Sequence, residues 1–229
     1  MNFPRRQSML GLSAFAVAGL ATMRARAQAP GDAGFEDAMI AAQYEAASKA
    51  AATRAAPKFR DGGTPVLGNP GGDVTFVEFF DYQCPYCKAA EPRIRTLIED
   101  DGNIAWVIKD FPILSPVSLV AAKAALASMG QGKFAEFHHA MMDYRGQLKD
   151  ETVFAIAKSV GLDVARLESE MIAPTIADQL FANFNLARMV KVSVVPGFIV
   201  NGRVLAGVSG KTETAKIDFV REVAAARAG

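Results

Sequence analysis

The chain has 229 residues, of which 51% are hydrophobic and 21% charged, with 25 basic and 24 acidic residues and two cysteines. This length and composition suit a globular protein that buries a core of its own without disulfide staples. The balanced charge excludes the strongly basic footprint of a nucleic-acid-binding domain.

In chain order, the first element reads as an export signal. Arg5 and Arg6 precede an apolar run of 14 residues from Met9 to Thr22, and small residues follow as far as Ala29. Such a run is short of the roughly 18 to 20 residues that span a bilayer, so residues 1–29 are expected to be a cleaved signal peptide rather than an anchor. The adjacent arginines point to the twin-arginine route, although Ser8 departs from the bulkier apolar residue usual there. Cleavage removes four arginines and no acid, leaving 21 basic against 24 acidic residues. No nucleic-acid partner is therefore expected.

Residues 30–60 are expected to form an Ala-rich helical arm, from about Phe35 to Ala56, with the start of a linker rich in Gly and Pro that continues to Gly72. The arm's apolar positions Phe35, Met39 and Ala42, with Ile40 and Tyr44 alongside, make only a weak seam with no sustained heptad, which predicts a monomer. The main domain spans 61–229. Within it, VTFVEFF (74–80) reads as a buried strand and IAWVIK (104–109) as the next. A helix between them, starting at the cysteines and ending before Gly102 with Pro92 as a kink, makes a β-α-β unit with parallel strands. From about 116 to 190 the periodicity is helical, with Asp150 and Asp163 as predicted N-caps. That is too much helix for one crossover and implies an inserted helical subdomain. GFIV, a turn at Asn201-Gly202 and RVLAG then make a hairpin, and a last helix runs from about Glu213 to Ala226.

Cys84 and Cys87 are the chain's only cysteines, three residues apart at the strand-to-helix junction. A bridge closing so small a loop contributes little stability, so the pair points to chemistry rather than architecture. Disulfide exchange needs a thiolate, and the first cysteine sits where free backbone N–H groups and the helix dipole favour negative charge. Cys84 is thus expected to be the exposed, attacking sulfur and Cys87 the resolving one. Pro85 suits the first helical turn because it has no N–H to lose. A metal site is the competing reading of C-x-x-C. The second half of a zinc site is missing, since His138 and His139 are adjacent and expected on ordinary helix surface, so no metal or cofactor is assigned. Glu78 interrupts an apolar strand and is expected to be buried, as a proton acceptor and donor for Cys87 with Lys109 as charge partner, or else to lie at an edge facing solvent.

PVLGNPGGDVTFVEFFDYQCPYCK, DFPILSPVSLVAA and VSVVPGFIVNG together resemble the DsbA family of periplasmic thioredoxin-fold oxidoreductases, over about Pro65 to the C-terminus. The resemblance implies an α/β thioredoxin fold with the helical insertion. It implies Cys84 as nucleophile, Cys87 as resolving thiol, Glu78 as the buried acid, and Val195-Pro196 as a cis-proline loop beside the cysteines. Pro85, Tyr86 and Val195 are then the candidate substrate contacts, with strands beside the loop free to pair with an extended peptide. The expected activity is introduction of disulfides into reduced or unfolded exported proteins, with reoxidation by a quinone-linked membrane partner. Tyr86 stands where the strong oxidants of that family carry His, which leaves an isomerase or reductase, kept reduced by a membrane donor, as the alternative. A binding protein, either a Cu(I) carrier or a holdase, is the third reading.

Overall fold

The computed structural model describes residues 32–206 and 217–228. The signal segment 1–29 and the expected start of the last helix at Glu213 lie outside the described residues, as do the side chains of Phe35, Ile40 and Tyr44. The chain divides into two compact units, Met1–Met39 and Ile40–Gly229. The described part of the first is helical from Asp32 and belongs to helix α1 (Asp32–Ala55). In the second, the end of α1 and the 3₁₀ turn Ala56–Lys58 bring Ala52, Ala55 and Phe59 into the hydrophobic core.

Five strands form one mixed sheet: β1 (Val66–Gly68), β2 (Val74–Phe80), β3 (Ile104–Asp110), β4 (Gly197–Val200) and β5 (Arg203–Ala206), in the order β1-β3-β2-β4-β5. β2 and β3 run parallel, and every other pairing is antiparallel. The two longest strands occupy the middle of the sheet and are buried almost throughout, which is why their sequences read as continuous apolar runs rather than alternating ones. Helix α2 (Pro85–Asp101) makes the crossover between them. It continues through Pro92 and stops at Gly102, whose φ of 66° is left-handed and whose N–H donates to the Ile98 carbonyl.

Between β3 and β4 the chain runs through five helices: α3 (Pro116–Ser128), α4 (Phe134–Asp143), α5 (Asp150–Ser159), α6 (Val164–Met171) and α7 (Pro174–Met189). Asp163 caps α6 as expected, accepting from the Arg166 N–H at 3.1 Å. Asp150 does not cap α5. Lys149 holds that position without a side-chain bond, and Asp150 and Glu151 lie in the first turn, where their charge still favours the helix dipole. Asn201 (φ 40°) and Gly202 (φ 86°) turn the β4–β5 hairpin with both central residues at positive φ, as a type I′ turn requires. The last helix, α8 (Phe219–Ala228), sets the Phe219 ring 5.5 Å from Phe76 and 5.0 Å from Phe198, so that two edge-to-face contacts lock it to the sheet. The architecture is the expected α/β thioredoxin fold, with one short extra strand, β1, added to the β3 edge.

Candidate active site

The site is built where β2 hands the chain to α2. Asp81, the first residue beyond the strand, fixes the loop: one carboxylate oxygen accepts from the Gln83 N–H at 2.8 Å, and the other accepts from the N–H groups of Ile113 and Leu114 at 2.9 and 3.0 Å. Gln83 then spans the opening. Its amide donates to the Ser115 hydroxyl and its carbonyl accepts from the Leu148 N–H, both at 3.3 Å. Lys88, one turn further along α2, donates to the carbonyls of Met141 and Tyr144 at 2.7 Å each and ties the helix to the end of α4.

Cys84 is the N-cap of α2, and its sulfur accepts from the Cys87 N–H at 3.4 Å. In the thiol form it donates to the Val195 carbonyl at 3.7 Å, so the Val195-Pro196 loop lies directly over it, with its peptide bond cis. This loop corrects the expectation of an exposed sulfur: Cys84 is 2% accessible, covered by residues 111 positions away in sequence. The Cys87 thiol hydrogen-bonds to the Cys84 sulfur. With help from the N–H groups of Cys87 and Tyr86, and against burial and Asp81, it holds Cys84 down at about 7 from an ordinary 9.0. Cys87 is fully buried, and burial, then Cys84, then Glu78 push its thiol well up. The pair is therefore strongly asymmetric, one sulfur half-ionised at neutral pH and the other held as a thiol.

Glu78 is fully buried, not at a solvent edge. Burial first, then Glu91 and Cys84, drive its carboxyl well above the usual range, opposed by the Trp106 indole N–H, which donates to Oε2 at 3.0 Å. Lys109 is not its partner. In the parallel register Glu78 lies opposite Ile108, so Trp106 and Ile108 share its face while Lys109 points to the other one and donates to the Thr64 hydroxyl at 2.7 Å. Of the remaining predicted residues, Pro85 opens α2 and Tyr86 projects into solvent, 55% exposed. The two histidines depart from the surface placement expected of them. His138 is completely buried, and both rings converge on Glu91.

A family model described as thioredoxin matches residues 60–218. The chain belongs to the thioredoxin family. Among solved members, it is 38% identical to a thioredoxin-like oxidoreductase from Silicibacter pomeroyi, over 75% of this chain and 96% of that one, with a TM-score of 0.68. It is 29% identical to the thiol-disulfide exchange protein alpha-DsbA2 from Wolbachia pipientis, over 79% and 96%, with a TM-score of 0.69. These neighbours are DsbA-like, in agreement with the resemblance read from the sequence. The chain is also 35% identical over 140 residues to the Na(+)/H(+) antiporter NhaA 1 of Salinispora arenicola, 60% of this thioredoxin-family chain but 22% of the antiporter. It thus spans about a fifth of the length of that curated relative.

Sequence reasoning missed Asp81, Gln83, Lys88, Glu91 and Trp106 as parts of the site or its support. Asp81 carried a signal, since an acid directly before C-x-x-C at a strand end is placed to accept loop N–H groups. The others act through contacts between distant elements, which no local pattern displays.

Proposed function

We propose that this chain is a thiol:disulfide oxidoreductase working as an oxidase, which introduces disulfides into reduced or unfolded exported proteins through Cys84 and Cys87. The observation that carries the oxidoreductase reading is the asymmetry of the pair, which makes Cys84 the exchanging sulfur and Cys87 the resolving one. A thiol held at about 7 stabilises the dithiol form only slightly at neutral pH, so the oxidase direction is taken from the likeness to DsbA-like neighbours. A substrate thiolate attacks Cys84 of the disulfide form, the Cys84–Cys87 bond breaks, and Cys87 leaves as a thiolate that takes a proton from neutral Glu78. A second substrate thiolate then attacks the mixed disulfide and releases Cys84 as a thiolate. Two electrons pass from the substrate to the pair, and a quinone-linked membrane partner removes them in turn.

Pro85, Tyr86, Val195 and Pro196 bind the substrate in this reading. Exposed Tyr86, Ile113 and Leu114 support it by offering an apolar rim suited to unfolded chains, the latter two through backbone bonds to the Asp81 loop beside the cysteines. Burial of Ala52, Ala55 and Phe59 in the chain's own core supports a monomer. Among the described residues no helix is long and apolar enough to cross a membrane. The periplasm is the proposed compartment, reached by the signal at 1–29.

A second reading, isomerase or reductase, is favoured by the same Cys84 value, because an attacking thiol works best with its pKa near ambient pH. The test is to mix the oxidised chain with a reduced, unfolded substrate protein. Stoichiometric loss of substrate thiols, matched by two new thiols on this chain, supports the oxidase. No transfer of the disulfide refutes it.

A further inference from the structure

Away from the cysteines, the described residues hold one cluster with metal-ligating chemistry: Glu91 on α2 with His138 and His139 on α4, whose ligand atoms all lie within 4.8 Å of one another. His139 Nδ1 is 2.9 Å from Glu91 Oε1, and His138 Nε2 is 3.6 Å from the same oxygen. His138 Nε2 and Glu91 Oε2 are buried without any hydrogen-bond partner, an arrangement that native cores rarely leave uncompensated. Both residues are 0% exposed, so bulk water does not supply the missing partner. The geometry points to a divalent-cation site of the zinc type formed by Glu91, His138 and His139.

Three features fit that assignment. Four-coordinate Zn²⁺ with bonds of about 2.0–2.1 Å places its ligand atoms roughly 3.4 Å apart, and the 3.6 and 2.9 Å from Glu91 Oε1 to His138 Nε2 and His139 Nδ1 bracket that spacing. A ligating imidazole is normally oriented through its other nitrogen, and His138 Nδ1 lies 3.0 Å from the Tyr82 hydroxyl. A cleft of about 360 Å³ lined by His139, Trp106, Arg95 and Asn69 reaches the cluster at His139, the side from which a cation and its fourth ligand would enter. Arg95 now lies 3.4 Å from Glu91, but it also pairs with Asp143 at 3.2 Å and keeps that partner if a cation displaces it. Imidazole and carboxylate together match Zn²⁺ better than Ca²⁺ or Mg²⁺, which take oxygen ligands.

The thiols must be kept out of the measurement. The full chain in its Cys84–Cys87 disulfide form, stripped with a chelator, is titrated with ZnCl₂ by calorimetry and with CoCl₂ by visible absorption. One equivalent should bind, with Co²⁺ giving the intense bands of a four-coordinate site. His139→Ala, at a position whose side chain is 28% exposed and so tolerant of change, should weaken binding by more than about 100-fold. Tyr82→Phe keeps the ring in the core and should weaken it by about 10- to 100-fold, since it removes only the orienting partner. Absence of binding to the unsubstituted disulfide form, or unchanged stoichiometry and affinity in both variants, overturns the assignment.

Discussion

Replacing Asp110 with Asn should stabilise the protein increasingly as pH rises. Asp110 ends β3, is 1% exposed, and neither of its carboxylate oxygens has a hydrogen-bond partner. Burial, reinforced by Asp81, raises its pKa from 3.8 to about 8, against the backbone and Lys109. An acid whose pKa is higher in the folded than in the unfolded state makes the unfolded state the better proton releaser. It therefore costs stability progressively from pH 3.8 up to about 8. At 1.36 kcal/mol per pH unit, the cost at pH 7 is about 4 kcal/mol and nearly vanishes at pH 4. Asparagine has almost the same shape and no proton to bind, so the variant should gain about 4 kcal/mol at pH 7 and little at pH 4. Urea unfolding of both proteins across that range, with the cysteines in one redox state throughout, measures the difference. A gain that is the same at pH 4 and pH 7 would show that Asp110 is not held neutral by the fold.

Alkylation of Cys84 in a Cys87→Ala background should show a midpoint below the ordinary 9.0, raised somewhat above the wild-type value of about 7 because the Cys87 thiol no longer donates to it while the backbone N–H groups of Cys87 and Tyr86 still do. In the intact dithiol, Cys87 should resist labelling until the chain unfolds, and quench-labelling with mass analysis reads both. Glu78→Gln should slow dithiol–disulfide exchange in stopped flow while the circular dichroism spectrum stays unchanged, because the amide keeps the Trp106 contact and cannot pass a proton. Light scattering should find a monomer for the chain starting at Pro30. A dimer or trimer that dissociates when the chain starts at Asp61 would favour the isomerase instead.

The parts of this fold visible in the sequence were those written locally. VTFVEFF and IAWVIK lie where their composition places them because central parallel strands are buried on both faces. Gly102 and the Asn201-Gly202 turn carry the only backbone freedom their positions allow. β1 was hidden because its three residues sit between Pro65 and Asn69 in a breaker-rich stretch, and pairing with the β3 edge creates it. The site divides in the same way. The cysteines and the buried Glu78 could be read from their neighbours in sequence. The partner of Glu78 depended on strand register, which turned Lys109 away and brought Trp106 across. Neighbours on a helix surface diverge, so His138 and His139 gave no sign that Glu91, on another helix, draws both rings together.

The central claim is that the Cys84–Cys87 pair is poised to give its disulfide away, and the reduction potential of the pair in a glutathione redox buffer at pH 7 tests it most directly. An oxidase is expected to lie above about −180 mV, on the oxidising side of protein disulfide isomerase and toward DsbA at about −120 mV. A value below about −180 mV, in the range of protein disulfide isomerase or toward thioredoxin at about −270 mV, contradicts it.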